Sequence, residues 1–255
     1  MNLTGKITLV TGASAGIGKS VAEVFAAAGS NLILTARRFE VIKEIAANLQ
    51  DKYAVKVYAY RNDVRSLDEV KNLIMNLPED AKEIDILVNN AGLARGLSRI
   101  QDGDINDWEE MIDTNIKGLL YMSRAVLPGM VKRGRGMIIN VASIAGRSAY
   151  PMGNVYCSTK SAAKTLSEAM AIDLNGTGVR VCNIDPGMVE TEFSLVRFHG
   201  DAQRADAVYK QFKPLEPNDV ADIALFAATR PQHVMIQDIM VTPTAQANAM
   251  IVDKK

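Results

Sequence analysis

Tyr156-Cys157-Ser158-Thr159-Lys160 sets a phenol and an ammonium four residues apart, and on a helix that spacing puts both on one face. A free tyrosine titrates at about 10, too high for a base at neutral pH. An adjacent ammonium favours the phenolate and draws that pKa down, which makes a tyrosine usable as a general acid/base. Ser143 lies thirteen residues earlier, at the end of a β-branched run. Tyr and Lys at this spacing are common on surface helices, so the pair acquires meaning only from what else the chain carries.

Thr11-Gly12-Ala13-Ser14-Ala15-Gly16-Ile17-Gly18 follows the first β-branched run and opens a helical stretch. Glycines at a strand-to-helix turn let backbone N–H groups approach a pyrophosphate, and the helix N-terminus adds partial positive charge. The spacing is G-x3-G-x-G. In NAD-binding sheets an acidic residue about 20 positions beyond the glycines accepts hydrogen bonds from the adenine ribose 2′-hydroxyl. Here that place reads Thr35-Ala36-Arg37-Arg38, with no carboxylate and two guanidiniums able to pair with a 2′-phosphate, and Ser14 is a further phosphate contact. NADP(H) is the expected cofactor. An oxidised nicotinamide would add to the pull of Lys160 on the Tyr156 proton.

The elements that must position these groups can be read from hydrophobic period. Apolar, β-branched runs at 7–10, 31–35, 55–60, 84–88, 137–141 and 179–184, with a weaker one at 235–241, predict about seven strands. Helix-period stretches at 16–28, 39–52, 66–77, 108–132, 155–175 and 217–229 alternate with them. Near-continuous apolar strands suit a parallel sheet covered on both faces, so the expected architecture is a single α/β domain over 1–255, doubly wound. Only 188–215 lacks a clear element, and such an excursion reads as a lid. The composition is that of a globular chain: 255 residues, 48% hydrophobic and 23% charged, with 29 basic and 29 acidic residues. Zero net charge without long like-charged runs argues against nucleic acid or an anionic membrane as partner and favours a small molecule. Cys157 and Cys182 form no CxxC pair, and His199 and His233 have no neighbours at ligand spacing, so neither a disulfide framework nor a metal site is expected. The start of the chain runs directly into a strand without a signal-like segment, and no apolar stretch reaches spanning length, so the expected compartment is the cytoplasm. Trp108 is read as a helix anchor, and Cys157 as a small buried filler.

Taken together, Thr11-Gly12…Gly16-Ile17-Gly18, Asn62-Asp63-Val64, Asn89-Asn90-Ala91-Gly92, Asn115, Ser143, Tyr156…Lys160 and Asp185-Pro186-Gly187 make the chain resemble the short-chain dehydrogenase/reductase family over essentially its whole length. The resemblance implies a Rossmann-type sheet and an oxidoreductase. It implies that Tyr156 exchanges a proton with the substrate oxygen, that Ser143 orients that oxygen, and that Lys160 holds the nicotinamide ribose and tunes Tyr156. Asn115 would keep a bend in its helix and support a proton-relay water. Asp63 and Val64 would meet the adenine, Asn89, Ala91 and Gly92 would run along the cofactor, and Pro186, Gly187, Val189 and Thr191 would lie beside the carboxamide. The runs 85–94, 125–131, 153–156 and 191–198 look like the branch of NADP-dependent 3-hydroxy acid dehydrogenases, which also takes in serine and allo-threonine dehydrogenases and malonic semialdehyde reductases. Sulfoacetaldehyde reductases resemble the same branch.

Such a substrate carries an anion, which a guanidinium fork binds well. Arg197, in the expected lid, and Arg147, four beyond Ser143, are the candidates, with Asn154 as a neutral donor and Arg95 a weaker third arginine. A general ketone or aldehyde reductase is the alternative within enzymes. A cofactor-binding regulator without turnover is disfavoured, because Asn115, Ser143, Tyr156 and Lys160 are all present. The resemblance further implies a homotetramer built on the long helices at 108–132 and 155–175; the tail at 241–252, mostly small and apolar and poorly covered in a lone monomer, is a candidate for a second contact.

Overall fold

The computed structural model describes residues 2–254; Met1 and Lys255, the two ends of the expected domain, lie outside it. Among the described residues seven strands form one parallel sheet: β1 (Ile7–Thr11), β2 (Asn31–Ala36), β3 (Val57–Arg61), β4 (Ile86–Asn89), β5 (Gly136–Val141), β6 (Val179–Pro186) and β7 (Asp238–Val241). Their order is β3-β2-β1-β4-β5-β6-β7. Register pairs Val10 with Leu34 on one side and with Val88 on the other, so the order reverses between β1 and β4. A crevice opens at such a reversal, beyond the C-terminal strand ends.

Side chains alternate across the sheet, and each face has its own core. Val10, Leu32, Leu34, Val88 and Ile139 face one layer with α1 (Gly16–Ala27), α2 (Phe39–Tyr53) and α9 (Pro217–Ala228), which supply Val21, Phe25, Ile42 and Val220. Leu9, Ile33, Leu87 and Ile138 face the other layer with α3 (Leu67–Met75) and α5 (Leu119–Arg133), which supply Val70, Leu73, Met122 and Met130. Local chemistry sets the helix starts. Ser66 accepts from the Glu69 N–H at 3.2 Å, and Pro217 occupies the first position of α9, where its missing donor costs nothing.

Two departures from the expected elements bear on the site. The stretch expected as one helix over 108–132 is α4 (Ile105–Ile112), a π-helical segment (Asp113–Gly118) and then α5. The stretch without an expected element carries two short helices, α7 (Phe193–Arg197) and α8 (Ala202–Val208). This excursion leaves and rejoins the body at one bridge, where Glu190 N–H donates to the Leu215 carbonyl at 2.9 Å and Leu215 N–H to the Met188 carbonyl at 2.9 Å. The remaining long helix is α6 (Asn154–Asp173), which runs beside the crevice. Among the described residues no helix is long and apolar enough to cross a membrane.

Candidate active site

The glycine turn is built for close approach. Gly12 has φ +66°, and a Cβ there would stand 3.0 Å from Ala91 Cα. A Cβ on Gly18 would come within 2.4 Å of the Gly12 carbonyl oxygen, so only glycine lets α1 start this close to β1. Ala15 leads into α1 without a side-chain cap and the first turn holds no acid, which leaves its N–H groups for an anion. Thr11 Oγ1 accepts from the Asn90 and Ala91 N–H groups at 3.0 and 2.9 Å, fastening the turn to the end of β4.

Around this turn lies a cleft of about 680 Å³. Gly12, Ser14, Gly16, Ile17, Arg37, Arg38, Asp63, Val64, Ala91, Gly92, Pro186, Gly187, Val189 and Thr191 line it, together with Ser143, Tyr156, Lys160 and Arg197. Gly18 and Asn89 support it from below; the Asn89 amide donates to Ser123 Oγ at 3.0 Å and to Asn140 Oδ1 at 2.9 Å. Asn62 also lines the cleft, and both polar atoms of its buried amide lack a partner among the described residues. A nucleotide base would satisfy such an amide. Burial works to raise the Asp63 carboxyl, but hydrogen bonds from Arg65 override it and hold the group below the usual carboxylate range. An elongated cleft with open glycines, paired arginines and an orphaned amide fits a phosphorylated dinucleotide.

At the other end stand the groups that can move protons. Burial drives the Tyr156 phenol upward, Tyr150 adds to this, and Arg197 and Ser143 oppose it. Lys160 is buried too, and desolvation pushes its ammonium down to about 8 against the pull of Asp185. Its Nζ donates to the Val141 carbonyl at 3.0 Å. Asn115 sits in the π-helical segment, accepts from the Leu93 N–H at 2.9 Å and donates to the Leu93 carbonyl at 2.8 Å and Thr159 Oγ1 at 3.0 Å. Its Oδ1 and Lys160 Nζ converge on Gly92, within 3.2 and 3.3 Å of where a Cβ would stand.

Of the residues expected to meet a substrate anion, Arg197 alone faces this chemistry. Its guanidinium lies 4.9 Å from the Tyr156 ring centre, 5.2 Å from Phe193 and 5.6 Å from Tyr150, and it donates to the Tyr150 hydroxyl. Its Nε is buried without a partner among the described residues. Arg147 is turned away by a 3-10 turn over Ile144–Gly146 and is held by carboxylates: Nε donates to Asp185 Oδ2 at 2.6 Å and Nη2 to Asp238. Asp185 is fully buried and accepts the Ser143 N–H at 3.2 Å, so Arg147 neutralises the carboxylate that seats Ser143. Asn154 also lies outside the cleft, its amide donating to the Ser98 carbonyl at 2.9 Å and its oxygen turned onto the Val155 N–H. Arg95 is spent on Glu110 at 2.7 Å and the Val196 carbonyl at 2.8 Å. Tyr150, Phe193 and Tyr209, which also line the cleft, carry no spacing signal, since an aromatic becomes a wall only once distant segments meet.

Fold and site define an oxidoreductase class, and the chain belongs to the short chain dehydrogenase family, whose model matches residues 6–200. It is 48% identical, over 99% of its length and 98% of the relative's, to an NADP-dependent 3-hydroxy acid dehydrogenase of Schizosaccharomyces pombe. It is 44% identical to sulfoacetaldehyde reductase 2 of Chromohalobacter salexigens, covering 97% of this chain and 98% of that one. A serine dehydrogenase solved in its closed form with NADP+ superposes with a TM-score of 0.92 at 43% identity, covering 98% of this chain and 99% of that one.

Proposed function

We propose that the protein is an NADP(H)-dependent oxidoreductase acting between a short 3-hydroxy acid, of the serine, allo-threonine or 3-hydroxypropionate type, and its semialdehyde. Bound in the cleft, the nicotinamide supplies or accepts the hydride. Tyr156 donates the proton to the substrate oxygen in reduction and takes it back in oxidation, Ser143 orients that oxygen, and Lys160, its Nζ 6.0 Å from the Tyr156 ring centre, would hold the nicotinamide ribose. Asn115 keeps the turn of helix and the Leu93 backbone in place around Lys160. Residues 188–215 form the lid that brings Arg197 over the substrate and excludes water. The single observation that carries the substrate class is Arg197: a half-buried guanidinium whose Nε is buried without a partner among the described residues, walled by Tyr150, Tyr156 and Phe193. A guanidinium in that setting binds a carboxylate strongly, whereas a neutral ketone leaves it unpaired.

The test is a substrate series with NADP+: serine, allo-threonine, 3-hydroxypropionate, 3-hydroxyisobutyrate and isethionate, for the protein and for Arg197→Ala. Loss of one partner of a desolvated pair costs about 2–5 kcal/mol, so Arg197→Ala should raise KM for the acids at least about thirtyfold and leave a neutral ketone nearly unchanged. Arg147→Ala should lower kcat and stability without separating charged from neutral substrates. Equal losses for both substrate classes in Arg197→Ala would return the protein to a general ketone reductase. A sulfonate offers the same guanidinium three oxygens, and with a sulfoacetaldehyde reductase among the relatives it is the second reading; turnover of isethionate above the hydroxy acids would select it. The assembly we propose is a homotetramer, and two buried thiols, Cys157 and Cys182, suit the reducing cytoplasm.

A further inference from the structure

The helix α7 is held at both ends by charged chains leading to the two arginines assigned to the 2′-phosphate. At its start, Glu192 Oε2 lies 3.0 Å from Arg38 Nη1, while Arg38 Nε donates to Ser14 Oγ at 3.1 Å. At its end, the Val196 carbonyl accepts from Arg95, which Glu110 holds, and Glu110 also lies 3.5 Å from Arg37. Each arginine that meets the phosphate therefore already meets a carboxylate, and each carboxylate is tied to the helix that carries Arg197.

Glu192 is the sharper case, because its carboxylate lies against Arg38 beside Ser14, where those two groups would otherwise take an anion. A phosphate brings up to two negative charges and three acceptor oxygens to a guanidinium, and so displaces a single carboxylate from it. We propose that Glu192 is a cofactor-specificity residue that competes with the 2′-phosphate for Arg38, so that NADP(H), unlike NAD(H), frees the start of the lid helix. This rests on the NADP(H) reading above. The two side chains are 49% and 54% exposed, so the competition weakens phosphate binding only about twofold to fivefold, the range of an exposed ion pair. What it contributes is coupling: recognition at the adenosine end changes how α7 is held at the substrate end. Glu110 serves Arg37, Arg65 and Arg95 together, so Glu192 is the residue to vary.

The test uses the full chain and two probes without nicotinamide, adenosine 2′,5′-bisphosphate and adenosine 5′-monophosphate, with affinity read by calorimetry and lid mobility by hydrogen exchange over 188–215. Glu192→Gln should tighten the bisphosphate twofold to fivefold and leave the monophosphate unchanged. The bisphosphate should speed exchange at the start of α7 in the unmodified protein but not in Glu192→Gln, where it is already fast. In an Arg38→Ala background, Glu192→Gln should be silent. Unchanged or weaker bisphosphate affinity in Glu192→Gln, or tightening that persists without Arg38, would overturn the proposal. Equal affinity of the unmodified protein for both probes would instead overturn the NADP(H) reading itself.

Discussion

Tyr156 and Lys160 are shifted in opposite directions by the same burial, the phenol upward and the ammonium down to about 8. Tyr156 therefore keeps its proton through the neutral range, as a donor to a substrate oxygen must. Lys160, its Nζ 6.0 Å from the Tyr156 ring centre, loses charge as pH rises through about 8, and in the proposed mechanism that charge steadies the phenolate left after donation. The kcat/KM for reduction should thus be flat below about pH 7 and fall above about pH 8; a pH–rate profile that climbs between 7 and 9 would assign the titrating group elsewhere. Tyr156→Phe keeps the ring against Phe193, 5.5 Å away, and removes only the transferable proton. Turnover should drop roughly 10²–10⁴-fold while NADPH still binds, as followed by nucleotide fluorescence. Both residues were legible in the sequence because four positions on one helix share a face however the rest of the chain folds.

At the scale of elements, the strand–turn–helix unit of β1 and α1 leaves no room for a side chain at its glycines. Gly18→Ala would drive a methyl to within 2.4 Å of the Gly12 carbonyl, and backbone cannot yield there as a flexible side chain could. Overpacking typically costs about 1–3 kcal/mol, so we expect a lower melting temperature and an NADP+ affinity weakened about tenfold or more, both measurable on one purified variant. An unchanged affinity would separate the glycine spacing from cofactor binding. The π-helical segment around Asn115 shows the limit of period-based reading. Its apolar residues continue the pattern of α4 and α5, so the sequence reads as one helix. The added residue per turn comes from contacts of Asn115 with Leu93 and Thr159, which lie on other segments.

For the whole molecule, the exposed apolar side chains on the long helices and at the β7 end of the sheet bear on the proposed assembly. Leu120, Val131 and Ile172 are exposed on α5 and α6, Ile172 to 75%, and β7 is a sheet edge that carries the exposed Met240. Unpaired edges and apolar helix faces of this kind favour association. Sedimentation at micromolar concentration should give about four times the 27.7 kDa of one chain, and charged substitutions at Ile172 or Met240 should shift it toward smaller species. A stable monomer would reject the tetramer.

What the sequence by itself determined rests on short-range covalent spacing. The glycine turn, the Ala36-Arg37-Arg38 strand end, the alternation of strands and helices, and the Tyr156–Lys160 pair each depend on neighbours within a few residues, and their local geometry follows from φ/ψ limits and helical repeat. Only the tertiary structure decided which arginine faces the cleft beside Tyr156. Arg147 and Arg197 look alike in sequence, but carboxylates 38 and 91 positions away, on β6 and β7, draw Arg147 out of the cleft. Arg197 is carried over the cleft by a helix that the period of 188–215 did not announce, and it meets Tyr150 and Tyr156 across more than 40 positions of chain. The physical reason is that a buried charge takes the best-placed opposite charge or polar partner in space, and sequence distance does not enter that energy.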